Sequence, residues 1–158
     1  MKVPYTNPVL LTAFFSELPQ LVYDEGIVLS TYPDSLGLPT MGIGSLLKPG
    51  MPEFEYEIGT PVSEERVLQA FIDEFVFDTF SDVKSVYPNY QEMPQEAVQI
   101  VLNLLYQLGR GRYLGFKKHV AAMRRADWNT AAHELRDSKL YRQAKKRTER
   151  RARRLEKI

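Results

Sequence analysis

The chain has no cysteine among its 158 residues, which excludes a disulfide framework, a thiolate metal site and a cysteine nucleophile together. That usage fits folding in a reducing compartment. Histidine is nearly absent too: His119 and His133 stand alone, with no carboxylate or cysteine pattern around them, so no metal site is expected. Long apolar runs are missing. Val9–Phe15 is broken by Thr12 and followed by Glu17 and Pro19, too short and polar to span a membrane. Lys2 precedes no small-residue cleavage site, so no export signal is expected. Internal repeats and low-complexity tracts are absent as well. What is present is an ordinary soluble globular composition, 44% hydrophobic and 26% charged, long enough for a single domain with a sizeable core.

The net charge of +1 hides an asymmetry. Lys145–Ile158 holds eight basic residues against Glu149 and Glu156, so the rest of the chain is net −5. A mildly acidic body with a basic tail points to an anionic partner, such as a phosphate-rich surface or nucleic acid. It equally fits a solvated final helix whose charge suits its C-terminal dipole.

Asn7-Pro8 is a helix start, N-cap then first helical position, and Leu10, Leu11, Phe14, Phe15, Leu18, Leu21 and Val22 follow at helical spacing. Pro19 should kink or divide this helix, and Gly26 should end it, leaving Glu25 at the helix exit. Residues 27–32 and 40–43 are β-like, flanking the turn-rich Pro33–Pro39. Strict alternation at Phe54, Tyr56 and Ile58 predicts a third strand. The remainder is helical. Ser63 caps a helix to about Phe80. Pro94 opens an almost wholly apolar helix closed by Gly109, which should be the buried central one. Further helices are predicted at about 114–125, at 128–136 behind the cap Asp127, and from about Leu140 onward. The expected fold is α+β, a single domain over 1–158. A small β-containing lobe (about 25–62) joins a larger helical lobe (about 1–24 and 63–158). Such a junction makes a cleft, a favoured place for a ligand.

Within "VYDEGIVLSTYPDSLGLPTMGIGSLL" (22–47), Asp34 and Thr40 lie three residues either side of Gly37. A hairpin folded about Gly37 would make them cross-strand neighbours, with Glu25 facing the same space from the helix exit. Two carboxylates with a hydroxyl between them suit glycosidic hydrolysis, one protonating the leaving oxygen while the other orients a water. Acidic residues beside Gly and Pro also serve simply as turn and cap residues.

The wider pattern "DEG…Y.D..G..T.GIG.LL" resembles the phage-type lysozymes, glycoside hydrolase family 24. "QEAVQIVLNLLYQLGRGRYLGFKKHV" is similar to that family's central helix and N-x-x-x-Q-x-G segment, and "RRADWNTAAHELRDSKLYRQ" to its W-x-x-A-A…S-x-x-Y segment. The resemblance covers residues 23–47 and 64–150. It implies a lysozyme-like fold and a muramidase cleaving the β-1,4 bond between N-acetylmuramic acid and N-acetylglucosamine in peptidoglycan, inverting and without cofactor. Glu25 would be the general acid, Asp34 would activate water and Thr40 would hold it. Alignment through Ser138 and Tyr141 puts Arg147 where the family pairs an arginine with the catalytic glutamate, with Lys146 and Arg150 as alternatives. A cation there favours the ionised carboxylate, so burial or substrate must offset it. Saccharide-cleft positions fall on Leu46, Tyr106, Gln107, His119 and Glu134. His119 stands in place of a serine and Glu134 in place of an asparagine. Tyr106 and Gln107 read equally as packing and capping residues. Ser45 replaces a histidine common after "GIG", so a supporting ion pair of the family cannot form, and Trp128 matches a packing position.

The role implied is a phage endolysin, a monomer held in the host cytoplasm until a holin lesion releases it to the wall. The basic tail, with Ala152 and Leu155 between its arginines, could meet outer-membrane lipopolysaccharide as an amphipathic helix. Rival readings are a virion-borne muramidase for DNA entry, a lytic transglycosylase, and a non-catalytic nucleic-acid module supported only by "KKRTERRARR". No nucleic-acid partner is expected in the leading one.

Overall fold

The computed structural model describes residues 7–158; Lys2 lies outside the described residues. The fold is α+β, a small antiparallel sheet in a predominantly helical chain. Its described residues fall into two compact units, one over 18–78 and one over 7–17 together with 79–158. Among them no helix is long and apolar enough to cross a membrane.

Helix α1 (Pro8–Glu25) contributes to both units. Asn7 Oδ1 accepts from the Leu10 N–H at 3.2 Å, and Pro8 occupies the first turn, where its missing N–H costs nothing. Pro19 neither divides nor ends the helix. It and Phe15, four residues earlier, are both exposed, so the carbonyl that loses its donor can turn to water.

In the smaller unit, β1 (Val28–Pro33), β2 (Pro39–Gly42) and β3 (Ser45–Leu46) form an antiparallel sheet in that order. The predicted strand over Phe54–Ile58 does not form. Pro52–Glu55 is a 3₁₀ turn, fixed by buried Glu53, which accepts from Arg66 at 2.5 and 3.0 Å. Phe54, Tyr56 and Ile58 therefore stay exposed. The chain then returns along the outer edge of β1, where Thr31 N–H donates to Thr60 O at 2.9 Å and Val62 N–H to Leu29 O at 3.0 Å. That cover satisfies backbone groups which an open strand edge would leave unpaired.

Helix α2 (Glu64–Glu74) is capped by Ser63, whose side chain accepts from the Arg66 N–H. It ends before the expected Phe80, because the ladder widens into a π turn over Phe75–Thr79 and resumes as α3 (Phe80–Val86). One contact sets how α2 meets the sheet. Gly42 takes φ +64°, and a Cβ placed there would come within 2.3 Å of Val67 Cγ1. Only glycine permits that approach.

The larger unit is built around α4 (Gln95–Leu114), whose residues Ala97–Leu105 are all buried. Gly109, at φ +73° and ψ 159°, breaks the helix where the sequence predicts its end, and a short helical piece follows. α5 (Lys117–Arg124) and α6 (Trp128–Arg136) come next, the latter capped by Asp127 on the Thr130 N–H at 3.1 Å. The final helix is two. α7 (Lys139–Gln143) starts on Ser138 and stops at Ala144, where α8 (Lys145–Glu156) begins. Ala152 and Leu155 of α8 are fully buried, so the apolar side that a membrane-binding helix would present is already covered by protein.

Candidate active site

Glu25 is the last residue of α1. Gly26 adopts φ +75° and donates its N–H to Val22 O at 2.9 Å, which stops the helix and leaves Glu25 on an exposed end. Two residues further on, Val28 pairs with Gly42.

The hairpin does not fold about Gly37. Tyr32 pairs with Thr40 and Pro33 with Pro39, which centres the turn on Leu36 and puts Asp34 opposite Leu38. The cause is Asp34 itself. Its Oδ1 accepts from Leu36 N–H at 2.8 Å and Leu38 N–H at 2.9 Å, and its own N–H donates to Leu38 O at 2.9 Å. A side chain that takes two backbone donors closes the turn early. Asp34 and Thr40 still come together, as diagonal neighbours. The Thr40 hydroxyl donates to the same Leu38 carbonyl at 3.0 Å, so Leu38 links the two side chains. Thr40 also pairs with Leu46 on β3. The carboxylate is thus held through one oxygen, and among the described residues no hydrogen bond reaches the other.

Leu46 lines a cavity of about 380 Å³ with Ser45, Lys48, Met51, Glu74 and Phe77. The buried Ser45 hydroxyl meets no partner with full hydrogen-bond geometry, yet it lies near enough to draw the Glu74 carboxyl downward. Burial dominates at Glu74 and holds its pKa above the ordinary value.

In the larger unit, Tyr106 and Gln107 sit half-buried near the break in α4. Gln107 Oε1 accepts from Arg151 at 2.7 Å. A second cavity, of about 640 Å³, is lined by Arg112, Phe116, Lys118, Glu134, Lys139 and, at its back, His119. His119 is 1% exposed, with Nε2 against the Tyr113 hydroxyl at 3.2 Å and Nδ1 against Ala131 O at 2.9 Å. Burial pushes its pKa down to about 4. Both ring nitrogens are occupied, so its chemistry goes into supporting the cavity wall, unlike half-buried Glu134. Arg147 donates to Asn103 Oδ1 at 3.1 Å.

The sequence profile of the phage lysozyme family matches residues 23–155. The chain belongs to the phage lysozyme family. Membership carries a lysozyme's class of chemistry, glycosidic hydrolysis in peptidoglycan. Three relatives are similar to it. Gp5, the pre-baseplate central spike protein of Enterobacteria phage T4, is 28% identical over 144 residues, covering 80% of this chain but 25% of Gp5. Probable T4-type lysozyme 1 of Dictyostelium discoideum is 27% identical, over 75% of this chain and 80% of that one. Probable T4-type lysozyme 2 of the same organism is 27% identical, over 82% and 87%. The chain thus spans a quarter of the spike protein and at least four-fifths of the other two.

The basic tail of this phage lysozyme has an internal partner in α4. Gln99, Asn103 and Gln107 recur every four residues through the largely apolar stretch Ala97–Leu108 of α4, a narrow polar stripe. Arg147, Arg151 and Arg154 recur at helical spacing on α8 and meet it. Arg154 donates to Gln99 at 3.0 Å, Arg151 to Asn103 at 2.6 Å and to Gln107, and Arg147 to Asn103. Arg154 also holds buried Glu17 at 2.9 and 3.0 Å. Three of the tail's eight basic residues therefore form a built-in ladder. The repeat of polar residues on α4 was its signal.

Proposed function

We propose that the chain is a muramidase hydrolysing the bond between N-acetylmuramic acid and N-acetylglucosamine, with Glu25 as general acid, Asp34 activating the water and Thr40 holding it. The observation that carries this reading is the Asp34–Leu38–Thr40 arrangement in the hairpin that follows the Glu25 helix exit. Asp34 is steadied through Oδ1, which leaves Oδ2 to take a proton from water. Thr40, with its hydrogen committed to Leu38 O, offers lone pairs to that water's second proton. Glu25 gives its proton to the departing oxygen as the water attacks the anomeric carbon from the opposite face. Two carboxyls about 6.5–9.5 Å apart leave room for the water, and the product is inverted. Leu46, Tyr106, Gln107 and Glu134 would contact saccharide, and Arg147 would support Glu25. No cofactor enters the reaction.

Glu25→Gln tests the assignment. It should abolish turbidity loss on purified peptidoglycan while far-UV and near-UV circular dichroism stay unchanged. Lysis at the normal rate would refute it. Reducing-end analysis of the muropeptides tests hydrolysis against transglycosylation, since the latter leaves anhydro-muramic ends.

For the biological setting we propose an endolysin, monomeric and dependent on a holin lesion to reach the wall. The similarity to a central spike protein favours a second setting, a muramidase carried in the virion. Mass spectrometry of purified particles distinguishes them: an endolysin is absent from virions, a spike component is stoichiometric.

A further inference from the structure

We infer that Glu17 is a positioning residue for the reaction: through Asn103 it fixes the guanidinium of Arg147. This rests on the reading that Arg147 supports the general acid.

Glu17, Asn103, Arg147, Arg151 and Arg154 all belong to the larger unit. Glu17 is 1% exposed and Asn103 is fully buried. Glu17 Oε1 accepts from Asn103 Nδ2 at 2.8 Å and from Arg154 at 3.0 Å, and Oε2 accepts from Arg154 at 2.9 Å. On its other side, Asn103 Oδ1 accepts from Arg151 at 2.6 Å and Arg147 at 3.1 Å.

The donors and acceptors permit one orientation of the amide. An ionised carboxylate only accepts, so the Asn103 NH₂ must face Glu17. Its oxygen then faces the arginines, which only donate. Turning the amide over would set oxygen against carboxylate and NH₂ against guanidinium, breaking its contacts with Glu17, Arg151 and Arg147. Glu17 lies at the far side of Asn103 from Arg147, yet it helps set which atom of the amide faces Arg147.

Replacing Glu17 by glutamine weakens that preference, leaving Arg151 and Arg147 alone to hold the amide oxygen. The substituted amide has one oxygen where the carboxylate has two. If its oxygen stays on Arg154, its NH₂ faces the Asn103 NH₂ and pushes that amide off the position that serves Arg151 and Arg147. If it faces Asn103, its NH₂ abuts Arg154. Arg154 retains Glu96 in either case, which keeps α8 anchored.

The experiment is a double-mutant cycle on peptidoglycan hydrolysis with Glu17→Gln, Arg147→Ala and the pair. Arg147→Ala should lower kcat about tenfold, a loss of the kind that follows from a misplaced catalytic group. Glu17→Gln should lower kcat several-fold with KM unchanged. In the Arg147→Ala background it should have no further effect. Equal loss from Glu17→Gln in both backgrounds would overturn the positioning role while leaving that of Arg147 intact. An unchanged kcat in Arg147→Ala would overturn the reading beneath it, and the positioning role with it.

A purely structural Glu17 would lower the melting temperature and active fraction in either background. Should Glu17→Gln fail to fold, the unaltered protein supplies the second readout. The Asn103 side-chain NH₂ should be protected from hydrogen exchange, and the Arg147 guanidinium should show restricted rotation by NMR. A freely rotating Arg147 guanidinium would overturn the proposal.

Discussion

Asp34 has two duties that one pair of substitutions can separate. Oδ1 closes the turn on the N–H groups of Leu36 and Leu38, at 2.8 and 2.9 Å, and Oδ2 is proposed to take the proton from water. Asp34→Asn keeps the first and removes the second. Its amide cannot flip usefully, because NH₂ would then face two backbone donors. Stability should change by less than about 0.5 kcal/mol. Activity should fall about 10²- to 10⁴-fold, the usual worth of a general base, or roughly 3–5 kcal/mol at 1.36 kcal/mol per tenfold. Asp34→Ala removes both duties. Its turn is solvent-accessible, so water replaces part of what is lost and the added cost is about 1 kcal/mol. For a chain of this size that is roughly 2–4 °C of melting temperature. The two variants should therefore be equally inactive in reducing-end release from purified peptidoglycan, yet differ in thermal unfolding. An Asn variant that keeps more than a tenth of the rate would refute the catalytic half of the reasoning. An Asn variant as unstable as the Ala one would refute the structural half.

Gly42→Ala should destabilise the protein by about 2–4 kcal/mol, combining positive φ at an L-residue with a Cβ 2.3 Å from Val67 Cγ1. Adding Val67→Ala should recover part of that loss in thermal unfolding, whereas strictly additive effects would show that the contact is not the cause. His119 predicts an acid limb. Its folded pKa of about 4 lies below its ordinary 6.5, so the unfolded chain takes up the proton first as pH falls. Stability should decline from about pH 6.5 down to about pH 4, by up to about 3 kcal/mol. The slope over that window should flatten in His119→Gln, and parallel curves would sink the assignment. Ending the chain after Arg150 removes buried Arg151, Ala152 and Leu155 together with the Arg154–Glu17 pair. Cooperative unfolding and activity on naked peptidoglycan should both disappear, and a truncated form that folds and cuts purified walls would restore the idea of a detachable tail.

What could be read from the chain divides by range. The exit of α1 at Glu25, the caps Asn7, Ser63 and Asp127, and the break at Gly109 depend on a residue and its near neighbours, and each stands where the sequence puts it. The hairpin register moved by one residue because Asp34 was counted as chemistry alone, although a carboxylate in a turn also competes for backbone donors. The missing strand over Phe54–Ile58 shows the same limit from the other side. Alternation supplied a period, but Glu53 found Arg66 thirteen residues away and took the segment out of the sheet. The tail is the clearest case. Its net charge is the same whether its arginines face solvent or protein, so composition could only offer a membrane, a nucleic acid or plain solvent. Face decides among these, and the arginine spacing on α8 had to be set beside the polar repeat on α4 to reveal it. Burying Arg151 and half-burying Arg147 and Arg154 against Gln99, Asn103 and Gln107 is costly unless they are satisfied. Amides and Glu17 on the facing elements therefore signal an internal destination for those charges. A basic helix should be weighed against the polar residues of the most apolar helix in the same chain before an external partner is sought for it.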